Sequence, residues 1–389
     1  MYINFWYVAG SADEFTEQPV KRRMLGLDFV LFRDAQGIAR VLSNTCTHRG
    51  GSLADGKVIG DCIQCPYHGW EFDGDGKCQK IPSAGSNGKI PARTRVDAYP
   101  TDERYGLVFA FLGDLPESER PPIYDIEEYG ENGPVEGWAT TLQKAEWPFD
   151  YKRSMENGID IAHNEFVHPT HGFSGARDDY EMPAPKVELT EWGVDLRSSG
   201  KGRLAPPLKD KKMREASGRH EDGIITGGGG GTFGVSTLWT HIRPTPEMCI
   251  NQYLFETPVD DSNTRLYLVN LRNFLLDSSD DERIMGRNEA VMIQDRDILA
   301  GVHPVQTPES NIHEFFVGPD EPIAKFREYL KDWQARGWRM DIDKIERDRK
   351  RVAYAIPSPA RREKKGWILQ SVPMMPGAVA AKHARVVSK

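Results

Sequence analysis

Two short stretches each pair a cysteine with a histidine: Cys46-Thr47-His48 and, after sixteen intervening residues, Cys65-Pro66-Tyr67-His68. Zinc accepts two thiolates and two imidazoles, but a zinc finger of that composition places a cysteine pair before a histidine pair. Here each loop offers one of each. That arrangement suits a [2Fe–2S] cluster with Cys46 and Cys65 on one iron and His48 and His68 on the other. Replacing two thiolates by neutral imidazoles raises the reduction potential above that of an all-cysteine cluster. A structural zinc site is the alternative.

A second constellation lies in Asn157-Gly158-Ile159-Asp160-Ile161-Ala162-His163-Asn164-Glu165-Phe166-Val167-His168-Pro169. Asp160 and His163 are three apart and so would share a helical face. His168 is five beyond His163, about 140° further round an ideal helix, so both imidazoles point one way only if the helix distorts or ends. Pro169 supplies that ending, because it disfavours α geometry in the residue before it. Two imidazoles need one carboxylate to form the face that leaves open positions on Fe(II) for dioxygen. Helical angles over Glu282–Val302 place Ile284, Val291, Met292, Ile298, Leu299 and Val302 within roughly 60° of Asp295. Asp295 is therefore expected at the centre of an apolar stripe, where an unpaired carboxylate costs several kcal/mol and metal ligation removes that cost. The alternative is a buried carboxylate paired with an arginine. Asp297 falls on the opposite, solvated face.

These residues need a scaffold, and the pattern around them is α+β. Residues 1 to about 115 read as β-rich: apolar runs at 28–32, 39–42 and 106–112 are bounded by turn residues, and Asp73-Gly74-Asp75-Gly76 suits a hairpin. A proline-rich acidic stretch around Pro116, Pro121 and Pro122 marks a domain boundary. Beyond it the pattern predicts helix at about 146–168, strands near 185–200 and 235–275, and helices over 281–302 and 320–353. The expected division is 1–117 and 118–389. The Gly227–Gly231 run reads as a surface loop, or as a flap over a site.

The chain has 389 residues, 50 Lys+Arg against 58 Asp+Glu and a formal charge of −8, which argues against a general nucleic-acid binder. No apolar run reaches the ~18–20 residues of a membrane span. The opening Met1-Tyr2-Ile3-Asn4-Phe5-Trp6 lacks the features of a signal peptide. Five cysteines are too few for a secreted disulfide scaffold. A cytoplasmic protein is expected, with no nucleic-acid or membrane partner.

The segments Cys46-Thr47-His48-Arg49-Gly50 and Cys65-Pro66-Tyr67-His68-Gly69-Trp70 resemble the Rieske [2Fe–2S] motif nearly residue for residue. Respiratory Rieske proteins carry two further cysteines where this chain has Gly51 and Tyr67, so the likeness is to the oxygenase branch. With Asn4-Phe5-Trp6-Tyr7-Val8, Asp160-x-x-His163-x4-His168 and Gln294-Asp295, most of the chain resembles the terminal oxygenase (α) subunits of Rieske non-heme iron oxygenases. It is similar to their shorter, β-subunit-free branch, which includes dicamba and vanillate O-demethylases and carbazole dioxygenase. The resemblance implies an all-β Rieske domain followed by a helix-grip (START-like) catalytic domain with an antiparallel sheet. It implies a mononuclear iron held by His163, His168 and Asp295. It also implies a homotrimer in which Asp160 bridges His163 to His68 of the neighbouring protomer and passes electrons between the centres. NADH would supply those electrons through a separate flavin reductase or ferredoxin. O2 would be inserted into a small aromatic or other apolar substrate, as in aromatic hydrocarbon catabolism, by mono- or dioxygenation. Oxidative O- or N-demethylation uses the same metal sites, and a Rieske electron-transfer protein without oxygenase activity is the reading from another class.

Other candidates read more plainly. Cys62 and Cys78 suit core or loop thiols. His171 suits a surface role or one behind the ligands, and His241, His303 and His313 lie outside both motifs. Asn157 could support the site by hydrogen bonding. Trp333, Trp338 and Leu330 read as helix packing. The tail from Arg361, with seven Lys/Arg against Glu363, reads as a solvated basic end or a dock for an acidic ferredoxin.

Overall fold

The structure is a computed structural model and describes residues 1–169, 175, 180–182, 184–197, 203–205, 211–212, 215, 223–225, 228–245 and 247–377. His171, Gly227 and the tail beyond 377 lie outside the described residues.

The first 112 residues form three small antiparallel sheets. Val20–Met24, Leu27–Arg33, Ala39–Ser43 and Ala98–Tyr99 make one, and Phe5–Ser11, Leu107–Leu112 and Thr101–Arg104 make another. The third is a meander of three-residue strands, Lys57–Ile59, Cys62–Gln64, Glu71–Asp73 and Cys78–Lys80. The expected hairpin at Asp73–Gly76 joins its last two strands. Asp73 Oδ1 accepts the N–H groups of Asp75 and Lys77 at 3.1 and 2.8 Å. Gly76 takes φ 75°, and a Cβ there would lie 2.1 Å from the Val96 carbonyl oxygen. Val30, Phe32, Leu42, Leu53, Ile63 and Phe72 form the core beneath the cysteines.

The second half is built on a seven-stranded antiparallel sheet. Its order is Ala139–Trp147, Thr264–Arg272, Ile250–Pro258, Thr237–Ile242, Gly228–Phe233, Val194–Arg197 and Lys186–Leu189. Side chains alternate across it. One face sends Tyr253, Phe255, Tyr267, Val269 and Leu271 against Val8, Leu107 and Phe109 of the first half. The other face meets helices: Leu238 lies against Gly158 of helix Tyr151–Ile159, and Leu254 and Leu266 pack with Met292 of helix Asp281–Leu299. The chain then returns to the first half, where Arg361 Nε and Nη2 both lie 2.7 Å from the buried Asp97 carboxylate.

Several expectations are corrected. The stretch 146–168 is not one helix. Trp147 ends a strand, Tyr151–Ile159 is helical with Asp150 capping its start, and Asn164–Val167 is a separate short turn. Asp160, at φ −83° and ψ 107°, sits between them in extended geometry, so it does not share a helical face with His163. Helicity over 320–353 likewise divides into Glu321–Ala335 and Ile342–Asp348, with Gly337 at φ 77° between them. Residues 228–231 of the glycine run are neither loop nor flap but part of a central strand. Trp239 on the next strand explains the composition. A Cβ at Gly231 would meet the Trp239 indole nitrogen at 2.7 Å and the Val194 carbonyl oxygen at 2.3 Å. Ile298 is 54% exposed, so the apolar stripe around Asp295 is narrower than its helical angle implied. Trp333 is buried and packs edge-on to Phe5 and Tyr2, as helix packing requires.

A buried ion network joins two helices. Arg327 donates from Nε and Nη2 to both oxygens of Glu156 at 2.7 and 2.8 Å, and Arg153 Nη1 reaches Glu314 at 2.7 Å. Removing one partner of a buried pair leaves the other charge uncompensated. Arg327→Met should therefore lower unfolding stability by about 3–5 kcal/mol in urea titration, and adding Glu156→Gln should recover part of that loss. Glu256 differs: burial pushes its carboxyl well above the usual carboxylate range, while the Ser154 hydroxyl donates to it. The folded state then holds a proton that the unfolded state releases above its ordinary pKa. Stability should fall as pH rises through that window, by up to about 1.4 kcal/mol per pH unit. Glu256→Gln should flatten the dependence between pH 5 and 8.

Candidate metal centres

The two cysteine–histidine loops fold in the same way. Gly50 N–H donates to the Cys46 carbonyl at 2.9 Å, and Gly69 N–H to the Cys65 carbonyl at 3.0 Å. Cys46 N–H in turn reaches the Gly51 carbonyl and Cys65 N–H the Trp70 carbonyl, both at 2.8 Å. Each turn needs a positive φ at its glycine, 74° at Gly50 and 70° at Gly69, which a side chain would strain. A Cβ on Gly51 would lie 2.9 Å from Cys65 Sγ, so the loops also need a bare backbone to approach one another.

This packing buries both thiols and leaves both imidazoles exposed. The His48 and His68 rings stand 4.4 Å apart, and His48 stacks on Trp70 at 4.4 Å and 4°. Burial, with Cys65 alongside, pushes the Cys46 thiol up to about 12. Thr47 Oγ1 and Trp70 Nε1 are buried without a hydrogen-bond partner. Two buried thiols, two facing imidazoles and orphaned donors beside them fit a cluster whose sulfurs accept hydrogen bonds. Cys62 and Cys78 lie outside the loops, on the two strands that flank Glu71–Asp73, and Cys78 Sγ contacts the Lys80 carbonyl at 3.4 Å.

The second centre depends on the break at Asp160. The Asp160 carbonyl is left outside the helix and meets His163 Nδ1 at 2.6 Å. A carbonyl only accepts, so Nδ1 carries the proton and the Nε2 lone pair faces inward. His168, which ends the short turn at φ −111° and ψ 67°, has Nδ1 3.0 Å from Gln294 Oε1 and also presents Nε2. From the 281–299 helix Asp295 adds Oδ1, 3.6 Å from His163 Nε2 and 3.2 Å from His168 Nε2, with the two nitrogens 3.1 Å apart. Asn157 Nδ2 donates to the same Asp295 oxygen at 3.1 Å.

At metal–ligand bonds of about 2.1 Å, adjacent ligands of a six-coordinate ion stand about 3 Å apart. The triangle of 3.1, 3.2 and 3.6 Å therefore fits three ligands on one face of a single ion. Burial pulls the His168 imidazolium down, but the Asp295 carboxylate outweighs it and leaves the group raised. Among the described residues no arginine pairs with Asp295.

The eight residues read as ligands or bridge, Cys46, His48, Cys65, His68, Asp160, His163, His168 and Asp295, lie at these two places. The Asp160 carboxylate does not touch His163; its Oδ1 accepts the Ala162 N–H at 2.7 Å and the side chain is half-buried. Sequence reasoning missed the part of Gln294. It neighbours Asp295 in a helix, and nothing in the pattern separates an amide that orients a histidine from one facing water. His241, outside both motifs, contacts the Tyr253 hydroxyl at 3.1 Å.

Each candidate centre lies within a stretch that matches a known domain. Residues 5–100 match the Rieske [2Fe-2S] domain, and residues 147–336 match the vanillate O-demethylase oxygenase C-terminal domain. Phenoxybenzoate dioxygenase subunit alpha of Ectopseudomonas oleovorans is 36% identical over 203 residues, covering 49% of each chain. The oxygenase component of dicamba O-demethylase from Stenotrophomonas maltophilia is 33% identical over 182 residues, covering 46% of this chain and 51% of that one. The chain thus spans about half the length of the curated relatives it matches. The crystal structure of dicamba monooxygenase bound to dicamba superposes with a TM-score of 0.67 at 22% identity, covering 85% of this chain and 96% of that one, which establishes a shared fold. The two domain matches together take in about three quarters of the sequence, each containing one of the two centres, and on that ground the chain belongs to the Rieske non-heme iron oxygenases.

Proposed function

We propose that the chain is the terminal oxygenase component of a multicomponent system, divided at about residue 117 into a cluster domain and a catalytic domain. Cys46, His48, Cys65 and His68 would hold the [2Fe–2S] cluster, and His163, His168 and Asp295 the mononuclear iron. When bound, these groups supply electron storage and the activation of O2 for insertion into an organic substrate. The observation that carries this reading is the triangle of Nε2, Nε2 and Oδ1 on one face, in the same chain as the paired cysteine–histidine loops.

The chain's own groups have distinct tasks. Burial keeps water from the thiols, while the exposed edges of His48 and His68 offer a surface to an electron donor or to a second copy of the chain. Asp160 fixes His163 through its carbonyl and keeps one carboxylate oxygen for another partner. Gln294 fixes the second imidazole, and Asn157 holds the carboxylate between them. The electron source is a separate reductase or ferredoxin drawing on NADH, and the assembly is a cytoplasmic homotrimer. The substrate is a small aromatic or other apolar molecule, hydroxylated or oxidatively demethylated.

Metal analysis with a visible spectrum tests the assignment. The expected result is a coloured protein with about three irons and about two acid-labile sulfides per chain. About two irons would instead mark an electron carrier, and a colourless zinc protein would remove both readings. His163→Ala should lose the mononuclear iron and keep the cluster's spectrum. Gln294→Ala should weaken iron retention or turnover by about 10–100-fold, as removing the partner of a ligating histidine does. Asp160→Asn preserves the carbonyl and should keep both metals while abolishing coupled turnover; near-wild-type turnover would remove its carboxylate from electron transfer.

A further inference from the structure

Four amide side chains meet where the 281–299 helix faces the sheet. Gln143, Gln252 and Asn270 come from three adjacent strands, and the register places Gln252 opposite Asn270 and Gln143 opposite Leu268. Asn288 comes from the helix. Gln143 Nε2 donates to the Met285 carbonyl at 2.9 Å and Asn288 Nδ2 to Gln143 Oε1 at 3.2 Å. Gln252 Nε2 donates to Asn270 Oδ1 at 3.1 Å and Asn288 Oδ1 at 3.3 Å. Asn270 is fully buried, yet its Nδ2 has no partner, and neither has Thr141 Oγ1, the residue opposite it on the next strand. Gln252 is only half-buried and both its donated bonds come from Nε2, which leaves Oε1 open.

An orphaned buried donor costs about 1–3 kcal/mol, and native proteins keep few of them. This one stands in line with the metal triad. Asn288 and Asp295 are seven residues apart, two turns along one helix face and about 10 Å in distance. Met292 lies between them, packed with Leu254 and Leu266. Read along that face, the order is carboxylate, apolar surface, amide cluster. Among the described residues no charged side chain is hydrogen-bonded to the cluster.

We propose that the amide cluster is a specificity site of the same catalytic centre. It selects substrates with an apolar body ending in an uncharged group that accepts from Asn270 Nδ2 and donates to Gln252 Oε1, such as a carboxamide or lactam. It discriminates against ionised carboxylates, because among the described residues no cationic side chain is hydrogen-bonded to these amides to offset their desolvation. This inference rests on the oxygenase reading for the position of the reacting end.

Anaerobic calorimetric titration of the metal-loaded protein without reductant measures binding apart from turnover. The probes are 4-methoxybenzamide, 4-methoxybenzoate and 4-ethylanisole. The benzamide should bind at least about tenfold more tightly than the benzoate. Gln252→Met should raise the benzamide Kd about tenfold while leaving 4-ethylanisole within about twofold. Equal affinity for benzamide and benzoate, or no heat with the benzamide at millimolar concentration, overturns the proposal on the wild-type protein alone. So does a Gln252→Met protein that melts earlier but ranks the probes as before, since the amides would then only staple helix to sheet. Iron content measured on the same samples separates the two readings: iron bound without amide preference removes this inference, and amide preference without iron removes the oxygenase.

Discussion

Three candidate ligand atoms within 3.1–3.6 Å of one another, two of them imidazole nitrogens and one a carboxylate oxygen, set the terms for the second half of the molecule. Such groups are brought together at a cost that neighbouring side chains must offset. The break at Asp160 frees a carbonyl to orient one imidazole, Gln294 orients the other, and Asn157 holds the carboxylate. Each of these partners comes from one of two helical segments. The ion network of Arg153, Glu156, Glu314 and Arg327 ties the first segment to the Glu321–Ala335 helix. Metal geometry and helix packing are thus one problem, solved together.

The cluster half solves a different problem, the placing of soft ligands at a surface without exposing the sulfurs. Two loops with the same hydrogen-bond pattern do this by turning sharply at Gly50 and Gly69. The cysteines fall inward and the histidines outward. The apolar core under the loops supports the thiol side, and Trp70 braces His48. A reducible centre reached through imidazole edges can exchange electrons with a partner that never touches its sulfurs.

Between the halves lies the sheet, apolar toward the first and mixed toward the helices. Period-two alternation lets one strand serve both. Tyr253 packs into the interdomain core while its neighbours Gln252 and Leu254 face the catalytic helix. A substitution on one face is therefore felt by the first half of the chain, and one on the other face by the helices.

Both candidate centres were legible in the sequence because ligand chemistry restricts residue type and spacing so tightly. Cysteine and histidine two or three apart, bracketed by glycine, admit few readings, and the stripe around Asp295 marked a carboxylate needing a partner. The β-rich first half and the long 281–299 helix followed from apolar period and turn residues. Sequence alone did not reveal the helix break at Asp160, the strand made from Gly228–Gly231, or the amide cluster. Those depend on what stands opposite each residue: the Trp239 ring that needs bare backbone beside it, the carbonyl released at a helix end, the side chain on the next strand. Local pattern specifies which chemistry a residue can perform. Only packing between segments far apart in the chain decides which atoms are left facing one another.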